Sequence, residues 1–440
     1  MVELSLHKPK ELSFQRSKEL YKQALEVTPH GRHSGARRTE DTAYGYPIQY
    51  PIFFASAKGS HFTDVDGNEF VDYVCAQGPI ILGHCHPAVN RAVAKQLDKA
   101  DIFGHCNEEE LALSKKLVKR IPCAEQVMIM QTGTQADFLA TRLARAYTGK
   151  RKVVKFWGHY HGYYDWTFFD NIPAGRLASM GMSMPEDTML LPWNEPDILE
   201  KTLEMHGNEI AAVICEAFLG NCVEIMPEPG YLETLRKLTK EHGIVLIFDE
   251  VITGFRLALG GAQEKFDVTP DLATFAKSLA NGFPIAAIAG KKEIMEAPTY
   301  IGGTFNGHPI LCAAALATVN ELEKPGVYKR IYDAGETIIA GIRDAIEDVK
   351  IEAIVQGLGC LFTIIFTDKE KIRYPHEFFN LGARYDRRVV TFYQELLNRG
   401  VFNHPSRGPR WHLTAAHTEE DASRTIEAAE AALKKAKEFD

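Results

Sequence analysis

Seven short apolar runs constrain this chain more than any other feature. They fall at 127–130, 153–156, 189–191, 211–215, 244–248, 272–276 and 285–289. Each is too short for an ordinary helix, and longer stretches with helical spacing, such as 134–147, lie between them. Buried runs alternating with helical spans predict an α/β fold: a mostly parallel seven-stranded sheet with helices on both faces. Helices are also expected at 10–27, 88–99, 108–119, directly after Pro309, and at 419–437. A β-hairpin closed by Asp66-Gly67-Asn68 is expected over 61–74, and a further strand at 361–366. The chain then divides into three parts. These are an N-terminal helix, loop and hairpin segment at 1–75, a large sheet-bearing domain at 76–310, and a smaller C-terminal α+β domain at 311–440.

Composition narrows the class. Of 440 residues, 58 are Asp or Glu and 50 Lys or Arg, and the net charge of −8 with no basic block speaks against a nucleic-acid partner. No apolar stretch approaches the roughly 20 residues of a membrane span, and the opening MVELSLHKPKELSF lacks the apolar core of a signal peptide. The eight cysteines form no C-x-x-C pair, so free thiols are expected rather than a disulfide framework or zinc site. These features predict a cytoplasmic enzyme, with no membrane or nucleic-acid partner.

Two of the runs end on a charged residue: 244–248 meets Asp249, and 272–276 meets Lys277. In an open α/β sheet the carboxyl ends of the strands are where ligands bind. An acid and a lysine delivered there suit pyridoxal phosphate, whose aldehyde forms a Schiff base with a lysine and whose ring nitrogen pairs with an anion. The same residues also fit a helix-capping Asp and a solvent-facing Lys. Thr132-Gly133-Thr134 stands where a strand turns into a helix. Its amides and hydroxyls can cup a phosphate, although Thr and Gly are equally ordinary caps. Gly158-His159-Tyr160-His161-Gly162 offers an aromatic ring to a flat ligand, or plain aromatic packing. In an extended segment its two histidines point to opposite sides and no third ligand is suitably spaced, so no metal is expected. Gly302-Gly303-Thr304 is another potential phosphate contact.

Taken together, Asp64-x-Asp66-Gly67-Asn68, Gly83-His84-x-His86-Pro87, Thr132-Gly133-Thr134, Tyr160-His161-Gly162, Asp249-Glu250-Val251, Lys277 and Gly303-Thr304 resemble a class III, fold type I aminotransferase dependent on pyridoxal phosphate. Segments such as GPIILGHCHP, FDEVITGFR and AHTEED resemble the branch that contains glutamate-1-semialdehyde 2,1-aminomutase. The resemblance implies roles. Lys277 would carry the cofactor and move the proton at the substrate, and Asp249 would pair with the ring nitrogen. Val251 and Tyr160 would lie on the two ring faces, with Glu216 and Asn221 near the ring. Thr132, Gly133 and Thr134 would hold the phosphate, with Gly303 and Thr304 reaching in from the second subunit of a homodimer.

Substrate positions are read from the same resemblance. Ser34 and Arg37 align with the aminomutase segment that holds the substrate carboxylate, a task suited to an arginine fork. Three positions depart from the aminomutase pattern. Gln77 replaces its tryptophan, Pro409 replaces a glutamate, and Thr132-Gly133-Thr134-Gln135 replaces Ser-Gly-Thr-Glu. The second change removes an acid between Arg407 and Arg410. It resembles aminotransferases of β-amino acids or D-phenylglycine, in which a mobile arginine accepts the side carboxylate of 2-oxoglutarate. The expectation is amino transfer from an amino acid, a β- or aryl amino acid included, to a 2-oxo acid, with Arg407 or Arg410 binding the acceptor. An aminomutase and an amino-acid racemase are the alternatives.

Overall fold

The computed structural model describes residues 12–37, 51–171, 177–382, 387–403 and 410–440. Strands β1 (Phe54–Lys58), β2 (His61–Asp64) and β3 (Glu69–Asp72) form an antiparallel meander. Asp64 makes the β2–β3 turn, its Oδ1 accepting the amides of Asp66 at 3.0 Å and Asn68 at 2.8 Å, with Gly67 left-handed at φ 82°. The helix Gln15–Val27 begins after Phe14, which offers no capping side chain. The turn supplies one instead: Asp66 accepts the amides of Arg16 at 2.6 Å and Ser17 at 3.0 Å.

The seven expected strands all form: β4 (Gln126–Met130), β5 (Lys152–Phe156), β6 (Thr188–Leu191), β7 (Ile210–Cys215), β8 (Val245–Glu250), β9 (Leu272–Phe275) and β10 (Ala286–Gly290). Their order is β4-β10-β9-β8-β7-β5-β6. β5 to β9 pair in parallel, and β10 runs antiparallel to both its neighbours. Side chains alternate between two cores, as a period of two requires. Val213, Cys215, Leu246 and Phe248 face one, and Ala212, Ile214, Val245 and Ile247 the other. The helix Gly133–Thr148 covers the second face with Ala136, Leu139, Ala140 and Leu143. The helices Glu108–Arg120 and Tyr231–Glu241 cover the first.

At the C-terminal end, β11 (Ala353–Leu358) and β12 (Leu361–Phe366) pair antiparallel, backed by the helix Val327–Val349. The short β13 (Val401–Phe402) leaves this unit and pairs in parallel with β3, tying the first of the expected segments to the last. β14 (Trp411–His412) adds to β12. Among the described residues, no helix is long and apolar enough to cross a membrane. All eight cysteines are free thiols.

One buried side chain joins these units. Arg256 is fully buried, and its guanidinium donates to four carbonyls: Gly78 O at 2.8 Å, Ile80 O at 2.9 Å, Leu413 O at 2.9 Å and Cys360 O at 3.4 Å. Removing such a donor strands the acceptors away from water, at about 1–3 kcal/mol for each group left unpaired. Arg256→Met is therefore expected to lower unfolding stability by about 3 kcal/mol or more, read from the denaturant midpoint. A change below about 1 kcal/mol would show that the clamp is dispensable.

Candidate active site

A cavity of about 360 Å³ lies at the carboxyl ends of the strands, a size suited to a small ligand. β4 leads into Thr132-Gly133-Thr134, β8 carries Asp249, and β9 leads through Ala276 to Lys277. These residues, with Tyr160, Asn221 and Val251, all line it. Two glycines let the walls close. A Cβ on Gly133 would sit 2.8 Å from Val251 Cγ2, and one on Gly162 (φ 90°) would sit 2.7 Å from Thr134. Thr132 spends its hydroxyl on the helix cap, accepting the Gln135 amide at 3.2 Å. The first-turn amides of Gly133 and Thr134 have no acceptor within the helix and border the cavity.

Asp249 is almost fully buried. Its Oδ1 accepts the Val251 amide at 3.0 Å, and its Oδ2 lies 2.7 Å from His161 Nδ1. Sequence spacing left His161 without companions, yet here it meets two acids. Asp137, His161 and Asp249 bring one ligand atom each within 4.8 Å of one another. Asp137 escaped the sequence reading altogether. It sits one turn into the helix Gly133–Thr148, a lone acid among Ala136, Leu139 and Ala140 on a face that packs on the sheet, which was its only signal. Tyr160 lines the cavity and packs edge-on against Phe168 at 5.9 Å, while its amide donates to Glu216 Oε1 at 3.0 Å. Burial, then the nearby charge of Asp249, pushes the Glu216 carboxyl up from its ordinary range.

Lys277 adopts φ 39°, a strained conformation for a side-chain-bearing residue, at the start of the 3-10 turn Lys277–Ala280. Burial, reinforced by the positive charge of Arg410, lowers its amine from 10.5 to about 7. Arg410 is held at the site by Asn221 Oδ1 at 2.9 Å, Gly220 O at 3.3 Å and Gln77 Oε1 at 3.3 Å. Asn221 in turn donates to Glu216 Oε1 at 3.0 Å, so a continuous chain runs from Gln77 through Arg410 and Asn221 to Glu216.

Other expected residues are placed differently. Ser34 and Arg37 lie on an exposed turn, Gly35–Arg37 being its 3-10 part, and do not line the cavity. Gly303 and Thr304 are exposed and also stand outside it, although Asn306 links their loop to Gln131 on the cavity wall at 3.2 Å. Arg407 lies outside the described residues.

Residues 45–424 match the family described as aminotransferase class-III. Glutamate-1-semialdehyde 2,1-aminomutase of Methanocaldococcus jannaschii is 39% identical over 431 residues, spanning 95% of this chain and 98% of that protein. An ω-transaminase from Sphaerobacter thermophilus superposes with a TM-score of 0.84 at 31% identity, over 96% of this chain and 97% of the other. The FumI protein of Sphingopyxis sp. MTA144, solved in its pyridoxal phosphate internal aldimine form, superposes at 0.83 with 27% identity over 95% of each chain. The chain belongs to the class III aminotransferases, pyridoxal phosphate-dependent enzymes of the fold type I architecture.

The environment of Lys277 predicts its behaviour in the cofactor-free protein. Reaction with an amine reagent, followed by mass spectrometry, should rise through about pH 7 at Lys277. Ordinary lysines respond near about pH 10.4. Arg410→Met removes a neighbouring positive charge, favours the protonated amine and moves the midpoint upward. A parent midpoint near about 10, or a downward move in the variant, contradicts this assignment.

Proposed function

We propose that this chain moves an amino group from an amino acid to a 2-oxo acid, 2-oxoglutarate in our reading. The cavity suits the family's cofactor. An amine of lowered basicity, a buried acid and the amides of a helix N-terminus border one space, matching the aldehyde, ring nitrogen and phosphate of pyridoxal phosphate. When bound, that cofactor supplies an electrophilic carbon for the substrate amine and a ring that takes up the electron pair released at the substrate carbon.

The chain's residues then have distinct work. Lys277 would hold the cofactor through its amine, and that amine would carry the proton at the reacting carbon. With its amine near 7, a substantial fraction is unprotonated at neutral pH and able to take that proton. Asp249 would pair with the ring nitrogen, and its bonds to Val251 and His161 fix the carboxyl group's orientation. Tyr160 and Val251, both lining the cavity, would lie on the two faces of a flat ring. Thr132 caps the helix that presents the amides of Gly133 and Thr134 to the phosphate. Glu216 and Asn221 pass orientation from this end to Arg410.

The observation that carries the intermolecular reading is Arg410, a guanidinium hydrogen-bonded to Gln77 and Asn221 beside Lys277. It is suited to the second carboxylate of a dicarboxylic acceptor. Arg407, three positions earlier in the sequence, would share that task, while Ser34 and Arg37 would serve the substrate carboxylate only if their turn closes over the cavity. A second reading, intramolecular transfer by a glutamate-1-semialdehyde aminomutase, is favoured by the similarity itself, since a relative of that name spans nearly the whole chain. A homodimer is part of the proposal. Tyr300, Ile301 and Phe305 are exposed apolar side chains flanking Thr304, a surface that a second copy would cover while bringing Gly303 and Thr304 to its partner's phosphate site.

A panel of amino donors with 2-oxoglutarate, run beside glutamate-1-semialdehyde alone, separates the readings. The expected result is glutamate formed from a donor, with Arg410→Ala raising the KM for 2-oxoglutarate by about tenfold or more, the loss of a charge-assisted hydrogen bond. Turnover of the semialdehyde alone, with no donor accepted, would establish the aminomutase.

A further inference from the structure

Asp137 has no part in the reading above, yet it lines the same cavity and is only 1% exposed. Its Oδ1 accepts the Thr274 hydroxyl at 2.6 Å, and it lies with His161 and Asp249 in one cluster of ligand atoms no more than 4.8 Å apart. The titratable groups facing it are Asp249 on β8, Glu216 after β7 and His161 after β5, with Lys277 in the same cavity. Among these, Asp249 and Glu216 are acids. Two buried carboxyls at this separation cannot both ionise cheaply, because each charge is desolvated and repels the other. Burial, then the charge of Asp249, pushes the Asp137 carboxyl well above its ordinary range, the Thr274 bond opposing. Asp249 differs from Asp137 in its partners, since it takes both a backbone amide and the His161 ring.

We propose that Asp137 is a second carboxyl of the ring-nitrogen site, donating a hydrogen bond to Asp249. This rests on the reading that Asp249 receives the cofactor's ring nitrogen. A carboxylate has about four lone-pair sites. Val251, His161, Asp137 and the ring nitrogen would fill them all. So fully donated to, Asp249 is a weaker base, and the shared proton stays on the ring, where it makes the ring a better electron acceptor. Asp137 is thus a positioning residue, acting through Asp249 and not on the substrate. As pH rises and Asp137 ionises, the donor is lost and a like charge appears beside Asp249, so the effect belongs to the alkaline side only.

The test uses the full-length protein, with cofactor binding and visible absorbance as readouts. Asp137→Asn keeps an N–H donor in the same place but cannot ionise, and Asp137→Leu keeps the shape and removes the donor. At neutral pH the Asn variant should bind pyridoxal phosphate within about twofold of the parent. The Leu variant should bind about tenfold more weakly, the factor for one lost hydrogen bond to a charged group. On raising the pH, the bound cofactor's absorbance should show an alkaline transition in the parent that is missing from the Asn variant. Parent-like affinity in the Leu variant, or the same alkaline transition in the parent and the Asn variant, overturns the proposal. So does stoichiometric binding of Zn²⁺ or Mn²⁺ to the cofactor-free parent that Asp137→Asn abolishes, because the three residues would then be a metal site. If the parent itself develops no visible absorbance with pyridoxal phosphate, the cofactor reading beneath the proposal fails with it, and the parent alone reveals that.

Discussion

The site depends on one buried cation without a carboxylate partner among the described residues. Arg256 is surrounded by carbonyl oxygens from the 78–80 turn and from the C-terminal unit at Cys360 and Leu413. Burial lowers its basicity, yet a guanidinium stays charged in proteins, so the carbonyls must remain around it. That requirement fixes the C-terminal unit against the large sheet. It also fixes β14, which begins at Trp411 directly after Arg410, and hence where Arg410 meets Gln77. The contact between Arg410 and Gln77 is thereby anchored by a residue outside the cavity.

Charge in and around the cavity is sorted by the elements that deliver it. Asp137, Glu216 and Asp249 arrive from a helix and two adjacent parallel strands, and Lys277 arrives from the next strand. Arg410 comes from the far end of the chain. Burial raises the basicity of the acids Asp137 and Glu216 and lowers that of the lysine, so their proton affinities shift toward one another. Convergence of this kind suits a site that must pass protons in both directions during amino transfer.

The sheet was legible because buried strands write themselves as short apolar runs, and all seven appear within a residue or two of where the runs lie. The antiparallel direction of β10 was not legible, since a run carries no arrow. Lys277 and Asp249 stood out because a charge directly after a buried run is conspicuous. Asp137 stayed hidden because one acid in an amphipathic helix looks like solvent-facing polarity until the sheet covers it. The meeting of Gln77 with Arg410 is a long-range contact that no local pattern encodes. The turn holding Ser34 and Arg37 could be matched to a family segment, but matching does not say how close it stands to the cavity in one chain.

Two strained turns meet at the lysine, and each explains the other. Cys75, Ala76 and Gln77 are consecutive left-handed residues without a glycine among them, at φ 47°, 58° and 70°, and Lys277 is left-handed at 39°. Such conformations cost on the order of 1–3 kcal/mol each and persist only when the surroundings impose them. Here the two turns are stitched together. Asn281 Oδ1 accepts the amides of Ile81 at 3.0 Å and Leu82 at 2.9 Å, and its Nδ2 donates to Gly83 O at 2.9 Å. Ser278 donates to Gly78 O at 3.1 Å, beside the Arg256 bond to the same oxygen. Relaxing either turn would break bonds in the other, so Gln77 and Lys277 are held as a unit. In the role proposed for Lys277 the amine at the tip of the side chain would move, and a braced backbone would keep its stem in place.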